Sequence, residues 1–250
     1  MPFALSKSGM KKKTKLNIRI NNFQIIYDEL LKLSDAEKKI VLPRFFKTGK
    51  GEYGEGDKFI GVVVPNVRIV AKNFKDCSME TVEDLLHSEW HECRLCALLI
   101  LREKYKKLPD EVVEFYLAHT SGINNWDLVD LSAPYILGEY LVDKQDRQVL
   151  YDLAKSEVMW ENRIAVVATL MLIRNNLFED TIRLAELLME AKHDLMHKSI
   201  GWMLREVGKR DEGVLRCFLE RYCKIMPRTM LRYSIEKLSP DLRKMYMNGF

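Results

Sequence analysis

The chain has 250 residues, of which 47% are apolar and 30% charged, and its formal net charge is +4. This balance is typical of a globular protein, and no apolar run approaches the roughly 20 residues that a membrane-spanning helix needs. The cysteine count of five is odd, which argues against a complete disulfide framework. We therefore expect a cytoplasmic protein, with a charge too small to indicate a polyanionic partner by itself.

Residues 1–17 predict a disordered basic leader. A short apolar stretch precedes Lys11-Lys12-Lys13, which reverses the order found in a secretory signal, and no cleavage site follows. From residue 18 to residue 250 no linker interrupts the pattern. We therefore expect one helical-repeat domain after the leader.

Almost every later segment repeats its apolar residues with a helical period, and almost none alternates like a strand. Asn21–Leu33 is the first such segment. Ser34-Asp35-Ala36-Glu37 then fits a capping box that opens a helix to about Phe46. The glycine-rich stretch Lys47–Lys58 has no apolar strand before it and lacks the ending of a phosphate-binding P-loop, so we interpret it as a loop that does not bind nucleotides. Pro65 suits the start of a helix that ends near Phe74.

The remaining residues predict helix after helix with short connections, at about 79–87, 89–106, 110–118, 125–137, 146–155, 157–174, 179–190, 194–208, 212–225, 228–238 and 240–247. Within them, His91-Glu92-Cys93-Arg94 and Trp160-Glu161-Asn162-Arg163 are similar at an offset of 69 residues. That offset is near twice the roughly 35–45 residues of a two-helix repeat. The prediction is an all-α fold, a superhelical solenoid of antiparallel HEAT-like helix pairs in a single domain.

Two patterns resemble metal sites but do not support one. Cys93 and Cys96 form a C-x-x-C inside an apolar helical run without a second pair, so we predict buried free thiols. His193 and His197 are four residues apart but lack the glutamate of an H-E-x-x-H motif. The sequence therefore predicts neither a metal nor a cofactor.

The candidate reactive group lies at a predicted helix start. Asn125 suits the N-cap, and Asp127 lies in the first turn, where a carboxylate favours the positive end of the helix dipole. Trp126 and Asp130 then share one helix face, as residues i and i+4. The structural alternative is that the ring packs in the core and that the acids only compensate the dipole.

A later helix presents Lys198, Trp202 and Arg205 on one face, at i, i+4 and i+7. Basic residues so placed suit a phosphate backbone, although charge runs are usually solvated faces. Gly201 in the same helix allows either a ligand or a neighbouring helix to approach closely.

The sequence resembles the HEAT-repeat DNA alkylation-repair glycosylases of the AlkD type, over about residues 30–238. The glycine loop and the W-D-x-V-D run are the most specific parts of that resemblance. The matching stretches are Phe45-Phe46-Lys47-Thr48-Gly49, the run from Gly51 to Asp57, Phe59-Ile60-Gly61-Val62, Pro65-x-x-Arg68, Asn125-Trp126-Asp127-x-Val129-Asp130, Trp160-x-x-Arg163-Ile164-Ala165 and Ile200-Gly201-Trp202-x-Leu204-Arg205.

The resemblance implies hydrolysis of the N-glycosidic bond of cationic N3- and N7-alkylated purines in duplex DNA. By position, Asp130 matches the catalytic carboxylate, and Trp126 and Trp202 match the aromatic residues that flank the lesion-bearing nucleotide. Arg163 matches the arginine that holds the DNA backbone beside the catalytic pocket, and Arg205 matches a phosphate contact.

Two further residues complete the predicted DNA-binding set. Lys198 joins it through the helix face that it shares with Trp202 and Arg205. Phe45 occupies the position of a further aromatic residue that is often Tyr in the family, so it keeps the ring and loses the hydroxyl.

The chemistry of the implied substrate agrees with a single carboxylate. A cationic alkylpurine leaves without protonation, so no general acid is required, whereas an O-glycosidase uses two carboxyl groups. One ionised Asp can stabilise an oxocarbenium-like transition state and orient water. Tryptophan rings near a cationic base or sugar contribute about 0.5–2 kcal/mol each.

The expected partner is duplex DNA containing alkylated purines. We expect the protein to act as a monomer at the nucleoid, with no bound metal and no membrane association. Two other functions stay open at this level. One is a non-catalytic HEAT-repeat module that binds branched or damaged DNA, and the other is a protein-binding scaffold.

Overall fold

The computed structural model describes residues 22–248. Within that range the chain is all-α, as predicted, and it forms no β-strand, with only an isolated bridge between Lys58 and Trp90. Residue contacts divide it into two compact units: residues 22–108 with Ser121–Asn125, and Pro109–Thr120 with residues 126–248. The leader expected at residues 1–17 lies outside the described residues, and the single domain from 18 to 250 stays a prediction.

Unit 1 is built around one buried helix. Its helices are α1 (22–32), α2 (Ala36–Phe45), α3 (Val64–Asn73), α4 (Met79–Leu86) and α5 (His91–Tyr105). Every residue of α5 from His91 to Leu101 is buried, and α3 and α4 pack against it. A helix that is apolar around most of its circumference must be covered on several sides, which explains the central position of α5.

Helix α2 begins where the sequence predicts, but its cap differs from the prediction. The carboxylate of Asp35 accepts the backbone N–H of Lys38 at 2.9 Å, so Asp35 is the N-cap residue. The hydroxyl of Ser34 instead donates to the carbonyl of Ile60. The predicted capping box is therefore wrong, because a contact distant in sequence engages the serine and leaves the next residue to cap the helix.

The glycine-rich loop at residues 47–58 consists of successive turns. Glu52 accepts the backbone N–H of Gly49 at 2.8 Å, and Glu55 accepts that of Gly51 at 2.8 Å. A phosphate-binding loop offers such amides to its ligand. Here the carboxylates of the loop itself occupy two of them.

Unit 2 contains the longer series of helices. They are α6 (Pro109–Ala118), α7 (Trp126–Ser132), α8 (Glu139–Leu141), α9 (Gln148–Ala154), α10 (Met159–Arg174), α11 (Glu179–Leu187), α12 (Asp194–Arg210), α13 (Glu212–Tyr222), α14 (Arg228–Ser234) and α15 (Pro240–Asn248). These bounds match most of the predicted ranges to within a few residues. None of the helices between residues 22 and 248 is long and apolar enough to cross a membrane.

The predicted helix at 125–137 is interrupted. Helix α7 ends at Ser132, and residues Pro134–Gly138 form a π-helical turn in which the N–H of Gly138 donates to the carbonyl of Ala133 at 2.9 Å. Pro134 has no N–H with which to continue the α-helical ladder, which explains the change of hydrogen-bond pattern. Such turns occur frequently at functional sites.

Helix α10 is the buried centre of unit 2, with α7, α9 and α12 packed against it. Two glycines permit close helix contacts. A Cβ on Gly138 would collide with the carbonyl oxygen of Ala168 in α10. A Cβ on Gly201 would lie 2.6 Å from the carbonyl oxygen of Met230, so this glycine admits helix α14.

Candidate active site

Asp130 and Arg163 form a bidentate ion pair in unit 2. The Nε of Arg163 donates to Oδ1 of Asp130 at 3.0 Å, and its Nη2 donates to Oδ2 at 2.9 Å. The Nη1 of Arg163 donates to the backbone carbonyl of Leu195 at 2.6 Å, just after the start of α12. Three helices thus fix the plane and direction of the carboxylate, because a bidentate guanidinium restrains both oxygens.

The carboxylate of Asp130 remains accessible while its partner does not. The side chain of Asp130 is 19% exposed, whereas that of Arg163 is 5% exposed. Among the described residues, Arg163 is the only hydrogen-bond partner of Asp130. A carboxylate oxygen has two lone pairs, so Asp130 can accept further contacts on its exposed side.

The pKa of Asp130 is raised above its ordinary value. Burial is the largest cause, because it removes water from the charged form, and the negative charge of Asp127 adds to the rise. The guanidinium of Arg163 opposes both by its charge and its hydrogen bonds. The ionised carboxylate of Asp130 is therefore poorly hydrated, so water screens its interaction with a nearby positive charge less than it would at a fully exposed site.

Both predicted tryptophans belong to the same unit as Asp130. Trp126 opens α7 one turn before Asp130 and is half-buried. Trp202 lies on α12, is also half-buried, and donates from Nε1 to Glu206 at 3.1 Å. Helix α10, which carries Arg163, packs against both α7 and α12. Each ring keeps part of its surface accessible to a ligand.

The two predicted cations of α12 are bound to carboxylates in this structure. Lys198 pairs with Asp194 at 2.7 Å, and its side chain is 39% exposed. Arg205 pairs with Glu236, two residues after the end of α14, and its side chain is 17% exposed. A phosphate would compete with these carboxylates for both cations.

Phe45 lies in unit 1, at the end of α2. It is 58% exposed and meets the buried Phe46 edge-on, with ring centroids 5.1 Å apart. Phe46 in turn stacks on Phe59 at 5.1 Å. The buried ring anchors the exposed one, whose predicted contact with DNA stays a prediction.

A second carboxylate–arginine pair, which sequence reasoning missed, lies in unit 1. Asp57 accepts from Arg94 at 2.6 Å and contacts His91 at 3.2 Å. Asn124 and Asn125 donate to the same carboxylate at 3.4 and 3.3 Å. The sequence carried a signal for it, since Arg94 aligns with Arg163 in the internal repeat.

Burial acts to raise the pKa of Asp57, but its partners outweigh burial. The hydrogen bond from His91 and the charge of Arg94 hold that pKa below its ordinary value. The side chain is only 5% exposed. Asp57 is therefore a firmly ionised carboxylate with little surface left for a ligand.

The expected buried thiols are confirmed. Cys93 and Cys96 are free and buried, and burial raises the pKa of Cys93 to about 12. His193 accepts the N–H of Leu195 through Nδ1, and His197 contacts the carbonyl of Ala191 through Nε2. Between residues 22 and 248, no three His, Cys, Asp or Glu side chains are grouped so that they could hold a metal ion.

Known proteins resemble this chain in sequence and in fold. The model of a family described as "DNA alkylation repair enzyme" matches residues 26–238. A solved structure titled "Predicted DNA alkylation repair enzyme from Enterococcus faecalis" superposes with a TM-score of 0.68 at 16% identity, covering 83% of this chain and 97% of that one. No curated protein matches. The extent of the family match shows that this chain belongs to the DNA alkylation repair enzyme family.

Proposed function

We propose that this protein is a DNA glycosylase that hydrolyses the N-glycosidic bond of cationic N3- and N7-alkylpurines in duplex DNA. The observation that carries the proposal is the Asp130 carboxylate, which Arg163 restrains at both oxygens and which remains partly exposed. In a DNA alkylation repair family, such a group is suited to stabilising positive charge on a nucleotide.

The reaction needs no acid because the substrate carries its own activation. As the bond between C1′ and the base nitrogen breaks, its electron pair passes to the cationic base, which leaves as a neutral purine. Positive charge develops on the sugar, and a water oxygen then bonds to C1′ and releases a proton. The products are the free alkylpurine and an abasic sugar.

In this reaction Asp130 faces the developing oxocarbenium charge and orients the water. Its lone pairs on the exposed side serve both contacts, because Arg163 occupies only one direction on each oxygen. The raised pKa reflects poor hydration of the charge. Less of the attraction between carboxylate and sugar is then lost to water.

Arg163 acts as a positioning residue in this proposal. The resemblance assigns it to the DNA backbone, but its Nε, Nη1 and Nη2 each donate to a partner within the protein. Its side chain is also only 5% exposed. These contacts support a role for Arg163 in keeping the carboxylate of Asp130 ionised and in a fixed orientation.

The two tryptophans provide the surfaces for the nucleotide. Trp126 shares a helix face with Asp130, and Trp202 projects from a helix that packs on α10. Each ring can hold a cationic base or sugar with about 0.5–2 kcal/mol. We further propose that the helix pairs are HEAT-like repeats and that the protein acts as a monomer on nucleoid DNA from the cytoplasm.

The test is base release from methylated duplex DNA, without added metal, by the wild type and by Asp130→Asn. We expect release of N7-methylguanine or N3-methyladenine by the wild type, and a loss of about 100- to 1000-fold in the variant. Asp152→Asn is a matched control, since Asp152 is an exposed aspartate on α9. Release by Asp130→Asn at the wild-type rate would refute the assigned role.

Asp130→Asn leaves the buried Arg163 without its counter-charge and can therefore unfold the protein. The double variant Asp130→Asn/Arg163→Gln removes both charges and should melt close to the wild type while remaining inactive. Salt-sensitive DNA binding without base release by the wild type would instead favour a non-catalytic module for branched or damaged DNA.

A further inference from the structure

A cleft between α14 and α15 has no role in the chemistry described above. Its volume is about 680 Å³, within the roughly 300–1,000 Å³ range of ligand pockets. Arg232 and Tyr233 line it from α14, and Arg243 and Lys244 line it from α15. The cleft is therefore large enough for a nucleotide unit and is rich in positive charge.

The positive charge of this cleft is not balanced within it. In the part of the chain that the structure describes, no carboxylate pairs with Arg232, Arg243 or Lys244. Glu236 also lines the cleft, but it is bound to Arg205 and to Lys237, the latter at 3.1 Å. The one carboxylate among these residues is thus neutralised by cations outside the lining. No carboxylate of residues 22–248 neutralises the other three charges.

The cleft adjoins Arg205, one of the DNA-binding residues expected on α12. Gly201 allows α14 to pack closely on α12, and Glu236 of the cleft reaches Arg205 directly. The Nε of Arg205 is buried and donates to no acceptor among the described residues. A carboxylate oxygen of Glu206 lies 3.9 Å from the same atom, so Arg205 is held between two carboxylates at this edge of the cleft.

We infer that the α14–α15 cleft binds a backbone phosphate of duplex DNA through Arg232, Arg243 and Lys244. The inference rests on the proposed DNA substrate and adds a contact outside the residues expected from the sequence. Arginine and lysine are the side chains that most often grip phosphate oxygens. A contact of this kind positions the duplex and carries no sequence preference.

The experiment uses the full chain and a variant with Arg232→Gln, Arg243→Gln and Lys244→Gln. Binding to a fluorescein-labelled unmodified duplex is measured by anisotropy over a range of salt concentrations. A matched control replaces Lys155, Arg174 and Arg210 by Gln, which removes the same charge from exposed positions at or next to the ends of α9, α10 and α12.

For the cleft variant we expect about tenfold weaker binding at low salt and a slope of log K against log salt that is shallower by about 0.9 per phosphate lost. The control variant should keep the wild-type slope. Base release in single turnover at saturating protein should stay within about twofold of the wild type, because the cleft positions DNA and does not touch the reacting atoms. Equal slopes for the two triple variants would overturn the inference.

A second arm separates DNA from free phosphate. Thermal melting is compared in inorganic phosphate and in chloride at the same ionic strength. A cleft variant that loses stabilisation by phosphate but keeps its DNA affinity and slope would overturn the assignment to DNA. A wild type that releases no base, beside a cleft variant with weakened DNA binding, would support the cleft and refute the glycosylase.

Discussion

The two carboxylate–arginine pairs, Asp57–Arg94 and Asp130–Arg163, have the same chemistry in different surroundings. Arg94 and Arg163 occupy corresponding positions of the internal repeat, near the starts of the buried helices α5 and α10. Asp57 contacts Arg94, His91, Asn124 and Asn125. In the described structure, Asp130 hydrogen-bonds to Arg163 alone.

This difference decides what each carboxylate can do. The pKa of Asp57 is lowered, although burial opposes it, and the side chain is 5% exposed. Burial raises the pKa of Asp130, whose side chain is 19% exposed. A carboxylate saturated by donors stabilises the fold, whereas one held from a single side keeps lone pairs for a ligand. We therefore propose that the ion pair serves structure in unit 1 and chemistry in unit 2.

Neutralising each aspartate in turn tests most directly whether the two pairs have different roles. We expect Asp130→Asn to lower single-turnover base release by about 100- to 1000-fold. We expect Asp57→Asn to lower the free energy of unfolding by about 3–5 kcal/mol, because Arg94 stays buried without its counter-charge. Urea denaturation and base release are measured on both variants and on Asp130→Asn/Arg163→Gln, because Asp130→Asn also leaves a buried arginine without its counter-charge. Normal stability and lost activity in Asp57→Asn would contradict a structural role for Asp57.

The glutamates that precede the two arginines extend the comparison. Glu92 accepts the backbone N–H groups of Ile60, Gly61 and Val62 within 3.1 Å, while Glu161 accepts the hydroxyl of Thr120 at 2.6 Å. We expect Glu92→Gln to cost about 1.5–3 kcal/mol of unfolding free energy and Glu161→Gln about 1 kcal/mol, since hydrogen bonds to charged acceptors are stronger and Glu92 loses several. If urea denaturation gave the two variants equal losses of unfolding free energy, Glu92 and Glu161 would contribute equally to stability, contrary to this prediction.

Replacing Arg163 tests whether the Asp130–Arg163 pair needs the planar guanidinium group. Arg163→Lys keeps the charge but cannot hold both oxygens of Asp130 and also donate to Leu195 with a rigid planar group. We expect about a tenfold loss of single-turnover rate with little change in DNA affinity. A large loss of affinity with an unchanged bound-state rate would assign Arg163 to the DNA backbone instead.

The smallest expected effect is a difference in how base release and stability depend on pH, because the two aspartates have pKa values shifted in opposite directions. Because the folded pKa of Asp130 is raised, base release should fall with acid at a pH above the reference value of about 3.9. Because the folded pKa of Asp57 is lowered, its contribution to stability is present above about pH 3.9 and is lost as the pH falls through its folded pKa. Activity should therefore fail before the fold does. In Asp57→Asn the acid limb of activity should remain while the acid loss of stability shrinks.

The all-α fold and most helix bounds could be predicted because helical periodicity, proline and glycine act within a few residues of the chain. The interruption of α7 was missed although Pro134 was visible, because a proline can end, bend or redirect a helix depending on what packs beside it. Gly138 lies against Ala168 of α10, and no local pattern indicates that contact.

The sequence by itself determined the helical faces, the buried thiols of α5, and the placing of Trp126 and Asp130 one turn apart. Only the tertiary structure decided which carboxylate each buried arginine would meet. Arg163 reaches Asp130 and Leu195, about 30 residues away on either side, because three helices pack together. The partner of a buried charge depends on helix packing between distant parts of the chain, which periodicity, being local, does not encode.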